Sequence, residues 1–134
     1  MALTTGESVA AGRYTVQSLL GTGGMAEVYR VRHAQLGTDL ALKVLSSDSP
    51  RQRERLMREG RAQASLRHSR IVSVVDVVVV GDRPGLIMEY IDGPSLDRVV
   101  ETMPLSIEQV DDLARQILSG VAAAHEQGFV HRDL

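Results

Sequence analysis

Apolar residues gather in short β-branched runs up to about position 91, and in a helical repeat after it. "RYTVQSLL" (13–20) has the β-branched and aromatic content of a strand, and Val28, Tyr29 and Val31 predict a second at about 26–33. "QLG" turns the chain into "TDLALKVL" (38–45), a third strand. "SSDSP" then sets up a helix to about Leu66, with Ser49 as its cap and Pro50 in its first turn. "IVSVVDVVVV" and "GLIMEYI" read as two more strands joined by "GDRPG", a hairpin turn. "GPSLDRVVE" predicts a short helix from near Ser95. Ser106 and Gln109 then form a capping box, with a staple between Leu105 and Val110. Val110, Leu113, Ala114, Ile117, Leu118 and Val121 follow the spacing of one buried helical face, and Gly128 is placed to end it. Residues 1–11 are small and polar, and are expected to form a loose, flexible tail.

Composition narrows the class. A chain of 134 residues makes one ordinary domain or part of a larger one, and 43% hydrophobic with 24% charged residues suits a globular protein. A net charge of -2 gives no general pull toward nucleic acid or an anionic membrane. Absence of cysteine excludes disulfides and thiolate metal sites, and fits a reducing, cytoplasmic setting. "MALTTGESVA" lacks the regions of a signal peptide, and the longest apolar run falls well short of the ~20 residues that span a bilayer. One bias does change the picture. Lys43 is the only lysine; every other basic side chain from Arg13 to Arg132 is arginine.

Candidate chemistry begins at "GTGGMA", where Gly21, Gly23 and Gly24 lie between two strands. Glycines permit tight curvature there and let backbone amides approach phosphate oxygens. A plain glycine-rich hairpin is an equal reading of these letters. A dinucleotide-dependent oxidoreductase is a rival, but it needs a helix directly after the loop and an acid about twenty residues on. Asp39 meets the second demand, whereas "AEVYRVRH" reads as strand. Lys43 on the third strand is costly to bury unless paired, and the following helix offers Glu59. The plainer alternatives are a surface pair of Glu59 with Arg55 and a Lys43 side chain reaching to water. The arginines between Arg51 and Arg70 read best as a solvated helix face. A metal site from His125, His131 and Asp133 is a poor fit, and no metal ligand is assigned.

Taken in order, these features resemble the eukaryotic-like serine/threonine protein kinases of bacteria, from about Arg13 to Leu134. "LGTGGMAEVY" is similar to the family's glycine-rich loop, with Ala26 where the general pattern has a third glycine. "ALKVL" resembles the strand carrying the phosphate-binding lysine, here Lys43, and Glu59 matches its helix partner. "LIMEYIDG" resembles the hinge, which implies Met88 as gatekeeper and the backbones of Glu89 and Ile91 as adenine contacts. By the same resemblance Leu20, Val28 and Ala41 sandwich adenine and Ser95 lies near the ribose. "HRDL" resembles the start of the catalytic loop, making Asp133 the aspartate that orients and deprotonates the substrate hydroxyl. Arg132 would meet a phosphorylated activation loop, and His131 would support the loop.

The resemblance implies an α+β fold: a small lobe with a five-stranded antiparallel sheet and one main helix over 12–91. The first helices of an incomplete large lobe follow over 92–134. It implies ATP as cofactor, a protein substrate with serine or threonine, and Mg2+ in the complete kinase. The magnesium ligands, an asparagine and the "DFG" aspartate, follow "HRDL" in the family and are absent from this sequence. The chain is therefore expected to be an incomplete catalytic domain, inactive alone, and to self-associate through an apolar stripe on the 107–127 helix. A non-catalytic nucleotide-binding or interaction module is the alternative. A compact ammonium reaching between a carboxylate and phosphates explains why a lysine persists among arginines.

Overall fold

The computed structural model describes residues 2–47 and 49–131. They form two compact units, one of Met1–Ser65 with Val72–Tyr90, the other of Leu66–Ile71 with Ile91–Leu134. The first unit is built on an antiparallel sheet. Its strands are β1 (Ser8–Val9), β2 (Tyr14–Thr22), β3 (Ala26–His33), β4 (Asp39–Leu45), β5 (Val74–Val80) and β6 (Arg83–Glu89). Their order across the sheet is β1-β2-β3-β4-β6-β5. Helix α1 (Pro50–Ser65) links β4 to β5. The hairpin turn contracts to Gly81 and Asp82, because Val80 already pairs with Arg83. Pro84 is tolerated at the start of β6 since pairing with β4 begins only at Gly85.

A sixth strand corrects the expected five, and with it the loose tail. Ser8 and Val9 pair with Thr15 and Tyr14. The connecting turn holds Ala10, Ala11 and Gly12 at positive φ (53°, 55° and 84°), which side chains beyond glycine rarely adopt. Packing offsets that strain. Val9 is buried, Leu3 packs on the same core, and the Leu3 amide donates to the Tyr29 hydroxyl at 3.1 Å. A strand of two residues has no periodicity to read, so the segment's role was invisible in its small polar letters.

Alternation along the strands gives the sheet two faces. One collects Val16, Tyr29, Val31, Leu42, Val44, Val78 and Ile87 into the main core. The sheet curls around it until β2 and β5, strands that are not hydrogen-bonded neighbours, meet at Asp76. There the Tyr14 hydroxyl donates to Asp76 Oδ2 at 2.9 Å and Arg13 Nη1 donates to the same oxygen at 2.8 Å. The register of β5 shifts between Val74 and Asp76, which frees the aspartate from the strict alternation of the ladder. On the β3–β4 hairpin, Arg30 and then Arg32 donate to Asp39 and hold its carboxyl below the usual aspartate range.

The other face carries α1. Leu56 and Gly60 are the helix's buried residues, and Leu56 joins Leu45 and Leu86 in a second cluster against which Val74 and Met88 pack.

The second unit holds α2 (Leu96–Thr102) and α3 (Ile107–Glu126). Both halves of the capping box are made: Gln109 N donates to Ser106 Oγ at 3.1 Å, and Ser106 N donates to Gln109 Oε1 at 2.9 Å. The apolar face that the spacing predicted for α3 is in part uncovered in this chain, as expected of its apolar stripe. Val110, Ile117 and Leu118 are exposed, and Gly120 is the helix's one buried residue. Periodicity marks which face of a helix is apolar, but burial also needs something opposite it. Gly120 lies against Arg70, and Ser119 Oγ is 3.1 Å from His68 Nε2, so the 66–71 loop meets α3 at this point. None of the described helices is long and apolar enough to cross a membrane.

Candidate functional site

Strand register decides which side chains share the α1 face. Lys43 pairs with Val28 on β3 and with Leu86 on β6, and Ala41 pairs with Met88. Directly opposed residues in an antiparallel sheet point the same way, and positions two apart on a strand do too. Val28, Ala41, Lys43, Leu86 and Met88 therefore share one face, the face that α1 covers in part. Lys43 is not buried as the apolar letters around it suggested: about a third of its side chain is exposed.

Helix α1 brings Glu59 to this lysine. Lys43 Nζ lies 3.4 Å from Glu59 Oε2, and Arg55 Nε lies 3.2 Å from Glu59 Oε1. The two partners that the sequence offered Glu59 are thus held at once, one on each oxygen. Arg55 also reaches Met25 on the glycine hairpin, with Nη1 4.0 Å from its Sδ. Lys43, Arg55 and Glu59 line a small recess together with Met25 and Ala26 from that hairpin.

The hairpin between β2 and β3 is closed by Gly23 N donating to Ala26 O at 2.8 Å. Gly21, Gly23 and Gly24 all keep negative φ, so the curvature expected of them does not use glycine's special dihedrals. What their missing side chains leave is space. A Cβ at Gly21 or Gly24 would meet nothing within 4 Å. Leu20 sits where β2 slips register between Leu19 and Gly21, and is exposed. At the end of β6, the Glu89 amide donates to Ser73 O at 2.9 Å. Ile91 and Ser95 belong to the second unit, where Ser95 stands at the N-cap position of α2 without a side-chain capping bond. His131 is the last described residue; Arg132 and Asp133 lie outside the described residues. Among the described residues no group of three or more metal-type side chains converges.

Gly60 is the residue that sequence reasoning passed over. A glycine inside a helix costs roughly 1 kcal/mol against alanine, and that cost was the available signal.

The family model for the protein kinase domain matches residues 14–134. The chain belongs to that family. Serine/threonine-protein kinase pkn2 of Myxococcus xanthus is 39% identical over 126 residues, which take in 92% of this chain and 15% of that protein. PrkC of Bacillus subtilis is 35% identical over 127 residues, covering 92% of this chain and 20% of the relative. The crystal structure of the Mycobacterium tuberculosis PknI kinase domain superposes with a TM-score of 0.78 at 32% identity, covering 99% of this chain and 55% of that one. The chain thus spans about half of a solved kinase domain and a much smaller part of the curated relatives. The expected kinase small-lobe fold is present, with one strand more than the letters suggested.

Proposed function

We propose that this chain supplies the nucleotide clamp for ATP-dependent phosphorylation of serine or threonine in proteins. The pairing of Lys43 with Glu59 beside the glycine hairpin is the observation that carries this reading. A lone lysine held by a carboxylate keeps its ammonium oriented, while its remaining N–H donors stay available for phosphate oxygens. The open space at Gly21 and Gly24 suits phosphate groups approaching backbone amides. Leu20, Val28 and Ala41 would pack on adenine, Met88 would close the rear of its pocket, and the Glu89 carbonyl and Ile91 amide would read its edge. Ser95 would lie near the ribose. Asp133 would accept the proton of the attacking hydroxyl, with Arg132 set to bind a phosphorylated activation loop. A cytoplasmic setting supplies the ATP.

Magnesium, when bound, neutralises charge on the phosphates, and this family takes its protein ligands from residues that follow "HRDL". The 134-residue polypeptide alone is therefore expected to bind nucleotide weakly and to transfer little phosphate. The test is titration with a fluorescent ATP analogue, followed by radiolabelled ATP with a generic protein substrate. Lys43→Met should weaken binding about tenfold, the worth of one charge-assisted contact. Binding indifferent to Lys43→Met would sink the clamp. Robust transfer by the short polypeptide, lost in Asp133→Asn, would overturn its expected inactivity.

A further inference from the structure

The ion pair between Lys43 and Glu59 is partly exposed, and pairs of that kind are too weak to hold a helix at a given depth. Something else must set how close α1 comes to β4. Gly60 follows Glu59 in α1 and is buried. A Cβ placed on it would lie 2.7 Å from Leu86 Cδ2 and 3.1 Å from Leu86 Cδ1. Leu86 is in turn the cross-strand partner of Lys43. The helix therefore touches the sheet at the side chain next to the lysine, through the residue next to the glutamate. Leu86 is 1% exposed and packed among Leu45, Leu56 and Met88, so it has little room to swing aside.

We propose that Gly60 is a positioning residue: its contact with Leu86 sets the separation of Glu59 from Lys43. A side chain at position 60 would lift α1 off the sheet. Arg55 sits on the same helix as Glu59 and would rise with it, so the carboxylate would keep Arg55 and lose Lys43. Any consequence for phosphate transfer rests on the kinase reading above. The geometric statement does not.

Lys43 gives a direct readout because it is the chain's only lysine, so isotope-labelled lysine yields one set of side-chain NMR signals. Glu59→Gln supplies the signal position of a broken pair. Gly60→Ala should move the Lys43 ε resonances most of the way to that position. Its urea midpoint should fall only modestly, since alanine's gain in helix preference over glycine offsets part of the crowding against Leu86. Leu86→Val shortens the opposing side chain, and Gly60→Ala combined with Leu86→Val should return the resonances toward the wild-type position. A resonance shift that shortening Leu86 reverses is what a merely structural glycine would not give. Gly60→Ala leaving the Lys43 signals in place would overturn the proposal, as would a double variant that fails to restore them. If Gly60→Ala alone loses its fold by circular dichroism, recovery in the double variant still identifies the contact, and loss in both overturns it. No nucleotide or turnover enters the measurement, so its outcome holds whether or not the kinase reading does.

Discussion

Tyr14 and Tyr29 each set a buried phenol against a carboxylate, Tyr14 donating to Asp76 and Tyr29 to Glu27. Burial first, and these hydrogen bonds second, raise both phenols above the ordinary tyrosine value of 10.0. The folded state then holds their protons more tightly than the unfolded state does. The stability linked to them is complete below about pH 10 and is lost as pH rises through the folded values. In an ultraviolet titration, a late tyrosinate component should appear together with the loss of circular dichroism, and Tyr14→Phe should shrink it. Asp76→Ala should cost about 1–2 kcal/mol in urea unfolding, because Arg13 and Tyr14 both lose their acceptor. At this scale the sequence was readable where a residue was rare for its setting. A single lysine in a strand invited the question of its partner, and Glu59 answered it. Gly60 stayed unread because the need for its missing side chain lies in Leu86, which is far away in sequence and close only after folding.

Elements were legible in proportion to their length. Strands β2 to β4 and helix α1 lie close to where β-branched runs and a Ser-Pro start placed them, while β1 is too short to carry a pattern. Local polar chemistry was the most reliable signal, since Ser106 and Gln109 needed only each other. Ser106→Ala is expected to destabilise α3 by about 1 kcal/mol, read as a lower urea midpoint. Gly120 makes a graded case. A Cβ there would stand 3.3 Å from both Cβ and the carbonyl oxygen of Arg70, a contact the loop can relieve by a small shift. Gly120→Ala should be close to neutral, its helix gain offsetting the crowding, whereas Gly120→Val should destabilise clearly. Equal effects of the two would mean that the loop at Arg70 does not rest on α3.

Over the whole molecule, apolar surface is distributed unevenly. Ile107 is 83% and Leu118 65% exposed, on a helix whose spacing anticipated a buried face. Apolar stripes of this kind usually find a cover. The mass from light scattering of the 134-residue polypeptide should therefore rise with concentration, and Ile107→Glu with Leu118→Glu should suppress the rise. A monomer at every concentration would refute this. The stripe was legible as a pattern, but what stands opposite it is set by tertiary structure and not by helical spacing. The curled sheet of the first unit has a different consequence, one that concerns synthesis. Tyr14 and Asp76, which meet where the curl closes, are 62 positions apart. Proteins are made from the amino end, and closing so long a loop needs both ends present. Val16 and Val31 thus leave the ribosome before Val78 and Ile87, members of the same core, have been added. Nascent chains arrested before β5 should be bound by holding chaperones, and chains arrested after β6 has emerged should be released.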